Sequence, residues 1–469
     1  MHPAALRAFQ LLPPGPARNL AASLRGSYLN WWRYGRNLER LVEQAVEREQ
    51  WTAAQWRTFH EAKLAEMLHR AFTAVPYYRE QWSTRRRNGD RAAPDLLANW
   101  PILTKQDLRR EPRAFLAGDR NPRFMLRERT SGTTGTPLDL WAGRRSVQAW
   151  YGLVEARWRR WYGVSRNDRW AILGGQRVAD PERRRPPFWV WNAPMGQLYL
   201  STYHLSPDLA ASYVEALEQH RIRYVYGYTS ALHALAAFAP ERLGNLGLAV
   251  VITNAEPVTE AQRSRIGQAF RCPVRETYGM AEAVVAGSEC EAGRLHGWPE
   301  VGWVEYLEGR TPVSPGTVGD LVCTGLLNPD MPLIRYHVGD RAVAPMVGTS
   351  CPCGRSLPLL GSIDGRNDDL AYTPDGRAVS HLHLVFGADV HVTEGQIVQE
   401  ALDRVRVRYV PQPGFGRPDE RALIAGVHAR MGPVRVDLEP VETIPRTGNG
   451  KLRTVICELP ADQRRGPGR

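Results

Sequence analysis

Leu38, Leu41, Val42, Ala45 and Val46 recur at the three-to-four-residue spacing of one helical face. Leu64, Met67, Leu68 and Ala71 repeat that spacing behind a Thr52 cap. This second helix is predicted to end before Val75-Pro76, because a proline ring pushes the preceding residue out of the helical region. From about 150 to 290 the pattern alternates. Apolar runs at Ala171-Ile172-Leu173, Tyr224-Val225-Tyr226, Ala249 to Thr253 and Val274 to Tyr278 read as strands. Helical stretches lie between them at roughly 208–220, 229–238 and 259–270. Such alternation predicts an α/β fold with mainly parallel sheets covered by helices, binding ligands beyond the carboxyl ends of the strands.

Past residue 300 the texture changes to short strands broken by Gly and Pro, as at Gly316 to Asp320 and Pro332 to Asp340, which predicts a β-rich subdomain. A second change falls at Gly365-Arg366-Asn367-Asp368. It divides the chain into a large domain, 1–366, and a small mobile α+β domain, 367–469. No internal repeat is visible.

The chain has 469 residues, enough for two or three domains, with 43% hydrophobic and 23% charged residues, a globular balance. No run of 18 apolar residues occurs, so no transmembrane helix is expected. Six cysteines without an export signal point to the reducing cytoplasm, where clustered thiols more often bind metal than form disulfides. The net charge of +12 is carried by 58 arginines and three lysines spread along the chain, without a nucleic-acid-binding signature. No nucleic-acid partner is therefore expected. Arg7, Arg18, Arg25, Arg33 and Arg36, scattered among Leu, Ala and Pro, read as a basic N-terminal tail rather than a membrane-touching helix. Lys63, Lys105 and Lys451 stand out in a chain that otherwise writes Arg, since a compact ammonium fits sites that a planar guanidinium cannot enter.

Several motifs carry chemistry. Thr130-Ser131-Gly132-Thr133-Thr134-Gly135-Thr136-Pro137 offers two glycines for close backbone approach, with hydroxyls and amides to cradle phosphate oxygens. It lacks the Gly-Lys-Ser/Thr of a Walker A loop. In chain order it is joined by Val75 to Arg79, Pro101 to Lys105, Tyr226-Gly227-Tyr228-Thr229-Ser230, Asn254-Ala255-Glu256-Pro257, Thr277-Tyr278-Gly279-Met280-Ala281-Glu282, Arg335 to Asp340, Gly365 to Asp369, and Pro445 to Lys451. From Leu64 to Ile456 this series resembles the adenylate-forming superfamily, and within it the phenylacetate–CoA ligase family and its CapK-like, capsule-biosynthesis branch.

The resemblance implies ATP-dependent adenylation of a small-molecule carboxylic acid, with pyrophosphate release and acyl transfer to CoA. It implies Lys451, Glu282 and Thr134 as catalytic residues. Ser131, Gly132, Thr133, Thr134, Gly135, Ala255, Glu256, Pro257, Thr277, Tyr278, Gly279, Asp340 and Arg366 would bind ATP. Asp368 would be the hinge, and Tyr226, Gly227 and Tyr228 would line the acyl pocket. The chemistry is consistent: joining a carboxylate to a phosphate brings anions together, so Lys451 and Mg²⁺ on Glu282 must supply positive charge. Thr136-Pro137-Leu138 departs from relatives that carry a lysine at the end of the phosphate loop, which shifts the load to backbone amides. Tyr226, Tyr228, His204 and Trp189-Val190-Trp191 would suit an aromatic or bulky acid, or simply pack in the core.

Cys290, His296, Cys351 and Cys353 could together make a closed, structural Zn²⁺ site, an arrangement that related branches share. Cys272, Cys323 and Cys457 read as small buried hydrophobes. Two alternatives stay open. One is transfer to an amine, such as an amino sugar or amino acid, in place of CoA thiol. The other is a degenerate nucleotide-binding scaffold. A homodimer is compatible with the sequence.

Overall fold

The computed structural model describes residues 8–129, 138–180, 183–346, 348–366, 370–375, 377–379, 382–387, 390–447, 450–460 and 463–464. The chain forms two compact units, one from 1–22, 168–274 and 364–469, the other from 23–167 and 275–363. Among the described residues no helix is long and apolar enough to cross a membrane.

The first unit holds the expected α/β layer. Strands Val250–Asn254, Tyr224–Tyr228, Trp170–Gly174 and Gln197–Ser201 lie side by side in that order and run parallel, and Trp189–Asn192 closes the edge antiparallel. Helices Pro207–Gln219, Thr229–Phe238 and Glu260–Phe270 bury Tyr213, Leu217, Leu232, Leu235, Ile266 and Phe270 against Leu173, Leu198, Val225 and Val251. Each such side chain contributes about 1.5–3 kcal/mol when fully withdrawn from water. Strands and helices fall where the apolar periodicity placed them. The two strands it missed, Trp189–Asn192 and Gln197–Ser201, carry apolar or aromatic runs of only three residues, too short to tell a strand from other buried structure. Trp189 and Trp191 pack on this core from the edge strand, and His204 stacks on Phe188 at 4.5 Å between ring centres.

The same unit contains a four-stranded sheet in the order Arg435–Pro440, Arg404–Pro411, Val392–Ala401, Val455–Cys457, with helix Arg417–Met431 burying Leu423, Val427 and Met431 in its core. This is an α+β arrangement, the texture expected of the C-terminal part of the chain.

In the second unit Thr52 and Gln55 form a reciprocal capping box at the start of helix Ala53–Ala74. Val75 is extended, and Pro76 opens a new helix, Pro76–Arg87, as proline at a first helical position favours. Tyr78, Trp82 and Trp100 form the centre of its core. Strands Val274–Gly279, Ala286–Glu289 and Leu295–Gly297 pair antiparallel. Strands Thr311–Pro312, Gly302–Glu308, Val318–Gly325 and Tyr336–Val343 form a second antiparallel set, the β-rich texture seen past residue 300.

One expectation is corrected. The N-terminal segment is not a featureless tail: Pro16–Arg33 is an 18-residue helix. Trp32 anchors it, buried with Leu126 and Val147. Pro16 opens this helix, at the first helical position, where proline is tolerated.

Candidate active site and metal centre

Three clusters contain the residues singled out by the sequence. The first lies at the carboxyl ends of two neighbouring parallel strands, Tyr224–Tyr228 and Val250–Asn254. Gly227 is required there, since a Cβ would stand 2.8 Å from the Leu173 carbonyl oxygen. Tyr228 precedes helix Thr229–Phe238, and burial beside Glu256 pushes its phenol up to about 12. Ala255 turns the chain with a φ of +63°, a conformation that costs a non-glycine residue roughly 1–2 kcal/mol. Its carbonyl oxygen lies 3.3 Å from Lys451 Nζ, and the same ammonium stands 5.7 Å from the centre of the Tyr228 ring.

Glu256 ties these pieces together. Its carboxylate accepts from Ser230 N at 2.8 Å and from Leu452 N at 3.2 Å, while Thr229 Oγ1 donates to its carbonyl at 2.9 Å. Arg446 reaches the same place: it pairs with Glu394 and donates to Ser230 Oγ at 3.4 Å. Burial raises the Glu394 carboxyl, and the Arg446 guanidinium opposes that rise. Sequence reasoning missed both Arg446 and Glu394. Arg446 fell within the Pro445 to Lys451 motif but was given no role in a chain with 58 arginines, and Glu394 gave no signal on a strand. Pro257 is exposed in the loop before helix Glu260–Phe270.

The second cluster belongs to the other unit. Thr277, Tyr278 and Gly279 end strand Val274–Gly279, and Tyr278 OH donates to Asp340 Oδ2 at 2.7 Å. Glu282 follows shortly after that strand. Tyr336 OH donates to Glu282 Oε1 at 3.1 Å, and Lys105 Nζ lies 3.9 Å from the same oxygen. Burial and the adjacent Glu282 carboxylate raise the Tyr336 phenol far above its ordinary value, so it stays a donor. The approach of Lys105 is encoded locally. Leu103 pairs with the chain beside Tyr336, through Leu103 N to Arg335 O at 2.9 Å and His337 N to Leu103 O at 2.8 Å. Thr104 and Asp107 then cap helix Lys105–Arg110 reciprocally. The sequence marked Lys105 as unusual without a role, and placed Tyr336 in the Arg335 to Asp340 motif without a role of its own.

The phosphate loop from Thr130 to Pro137, with Ser131, Gly132, Thr133, Thr134 and Gly135, lies outside the described residues, as does Asp368. Arg366 ends strand Ile363–Arg366; its side chain is likewise outside the description.

The third cluster is the metal set. One ligand atom each from Cys290, His296, Cys351 and Cys353 falls within 4.8 Å of all the others. The Cys290 and Cys351 sulfurs are 3.6 Å apart, and Cys353 Sγ is 3.4 Å from His296 Nε2. A tetrahedral zinc with bonds of about 2.3 Å to sulfur requires sulfur–sulfur edges of about 3.8 Å, so the donors fit. His296 Nδ1 lies 2.9 Å from the Leu357 carbonyl, which fixes the tautomer and leaves Nε2 turned toward the thiols. Burial lowers the His296 pKa and keeps the imidazole neutral, as a ligand must be.

Against known proteins, a family model described as the CapK C-terminal domain matches residues 371–458. Protein CapK of Staphylococcus aureus is 24% identical over 374 residues, 76% of this chain and 80% of that protein. The chain is a CapK homologue. The phenylacetate-coenzyme A ligase of Thermus thermophilus is 31% identical to it over 170 residues, 35% of either chain. A crystal structure of 2-hydroxyisobutyryl-CoA ligase in the postadenylation state superposes with a TM-score of 0.69 at 21% identity, over 96% of this chain and 94% of that one. The fold of this CapK homologue is thus that of an adenylate-forming ligase with a C-terminal domain.

Proposed function

We propose that the protein activates a small-molecule carboxylic acid with MgATP, forms an acyl-adenylate and pyrophosphate, and passes the acyl group to CoA. One observation carries this reading. Three motifs far apart in sequence converge in one unit, where Lys451, on its glycine-flanked loop, reaches the Ala255 carbonyl and the Tyr228 ring. This supports the reading because an ammonium between a turn assigned to the purine and a strand assigned to the acyl group would neutralise the charge that develops when a carboxylate attacks an α-phosphate.

In this reading Lys451 binds the carboxylate and α-phosphate, and Tyr226, Gly227 and Tyr228 border the acyl group. Ala255, Glu256, Pro257, Thr277, Tyr278 and Gly279 hold adenine, Asp340 accepts from the ribose hydroxyls, and Arg366 assists. Glu282, 3.9 Å from the Lys105 ammonium and oriented by Tyr336, would hold Mg²⁺, which shields the phosphates. Ser131 to Gly135 bind the outer phosphates, with Thr134 donating to the reacting end. Residues 367–469 then act as a lid pivoting at Asp368. Zinc on Cys290, His296, Cys351 and Cys353 is structural, because four protein ligands leave no open position. An ATP-consuming enzyme with free cysteines fits the cytoplasm.

Resemblance to CapK, over three-quarters of the chain, leaves an amine acceptor open as the alternative to CoA. Carboxylate-dependent ATP–pyrophosphate exchange over a panel of acids tests the first half-reaction. Lys451→Ala and Glu282→Ala should abolish it. Offering CoA and then amines to the adenylate decides the acceptor. A folded protein that neither exchanges pyrophosphate with any acid nor binds MgATP would leave the scaffold reading in its place.

A further inference from the structure

The helix Pro16–Arg33 turns apolar side chains outward. Leu20, Leu24, Tyr28 and Trp31 follow one another at spacings of four, four and three residues, which places them on one stripe. They are 63%, 67%, 51% and 55% exposed. The inward face is apolar too, with Trp32 buried beside Leu126 and Val147 and Leu29 packed on them. The rotation of the helix is therefore set by its own anchor, and the outward stripe is surplus to the core. A contiguous exposed patch of this kind marks an interaction surface.

Its charge indicates the partner. Residues 1–38 contain five arginines and no Asp or Glu. Arg18 turns inward to the carbonyl oxygens of Gln10, Leu12 and Val178, and Arg33 lies over the Tyr151 ring. Arg25 and Arg36 are exposed. Arg144 stacks over the Trp31 ring at 4.0 Å and donates to the Trp31 carbonyl at 3.1 Å, which sets a cation beside the stripe. The first acid in the chain, Glu39, is paired with Arg160 at 2.6 Å.

We propose that this helix rests on an anionic lipid surface. Leu20, Leu24, Tyr28 and Trp31 enter the headgroup–acyl boundary, where Tyr and Trp place a ring in the apolar layer and a polar group in water. Arg25, Arg36 and Arg144 meet lipid phosphates. A second copy of the chain is a poorer occupant, because a two-fold contact sets the same patch against itself and opposes its arginines to their own copies. The inference is independent of the ligase chemistry.

Flotation of the full chain with vesicles tests it, comparing phosphatidylcholine alone with phosphatidylcholine containing phosphatidylglycerol. The anionic vesicles should retain roughly tenfold more protein, and added salt should reduce that retention. The variant Leu24→Ser/Tyr28→Ser/Trp31→Ser, all at exposed positions, should melt like the parent and lose the binding. Arg25→Gln/Arg36→Gln should lose most of the preference for anionic lipid. Equal retention by both vesicles, no retention at low salt, or unchanged binding by the apolar variant would each overturn the proposal. So would a parent that is dimeric by sedimentation equilibrium and becomes monomeric in the apolar variant, which would give the stripe to a second copy.

Discussion

Lys451 Nζ lies 3.3 Å from the carbonyl oxygen of Ala255, a residue 196 positions earlier in the chain. The contact depends on a glycine. Gly450 adopts a φ of +78°, and a Cβ there would meet Thr202 Oγ1 at 2.6 Å and Gly175 Cα at 2.7 Å. Gly450→Ala should therefore displace the lysine loop. Pyrophosphate exchange is expected to fall by roughly tenfold or more, while thermal stability drops by only about 1–2 kcal/mol. Unchanged exchange would show that the loop conformation is irrelevant to adenylation.

Arg446 and Glu394 form a buried pair that reaches Ser230 at the head of the helix beside Tyr228. Removing the cation alone leaves a buried carboxylate without its partner, which costs about 3–5 kcal/mol. Arg446→Met should accordingly destabilise the protein more than Arg446→Met/Glu394→Gln. A double-mutant cycle by chemical denaturation gives the coupling, and additive effects would contradict the pairing.

Tyr336 orients the Glu282 carboxylate with a hydrogen bond of 3.1 Å. Tyr336→Phe keeps the buried ring and deletes only the hydroxyl. A hydrogen bond to a charged group is worth about 1.5–3 kcal/mol, so the Mg²⁺ concentration at half-maximal exchange should rise about tenfold or more. Glu282→Gln should have a larger effect. If Tyr336→Phe leaves the Mg²⁺ dependence unmoved, the hydroxyl does not position the ligand.

Zinc content is measurable on the purified protein, and one equivalent per chain is expected. Prolonged chelation, or Cys351→Ser/Cys353→Ser, should lower the melting temperature, because metal affinity held by the folded ligand set is folding free energy. Addition of Mg²⁺ should not restore it. Protein with no zinc and a melting temperature indifferent to chelators would return these cysteines to the core.

His233 lies buried in helix Thr229–Phe238, where loss of solvent, followed by the nearby Arg265, lowers its pKa to about 4. The unfolded chain takes up a proton near 6.5, so between those values the unfolded state binds more protons and stability falls as pH falls. The difference corresponds to roughly 3 kcal/mol lost between pH 6.5 and 4. Denaturation of His233→Gln across that range should show a shallower slope. His60 and His204, lowered in the same direction by burial, act in the same sense.

Sequence alone determined what short-range physics dictates. Apolar periodicity is local, so the helices around 208–220, 229–238 and 259–270, three strands of the α/β layer and Val274–Gly279 were legible, as was the stop at Val75-Pro76. The motif series was legible because glycines, lone lysines and hydroxyl runs mark themselves in an Arg-rich chain, and the four metal donors because thiols are few. The two aromatic–polar strands and the N-terminal helix were not, since neither carries a single clean period. Tertiary structure alone decided partnership. That Glu256 joins Ser230 to Leu452, that Arg446 lies against Glu394, and that Tyr336 serves Glu282 depends on contacts between distant segments, and residue type does not announce them. The outward turn of Trp31 was decided in the same way, by the burial of its neighbour Trp32.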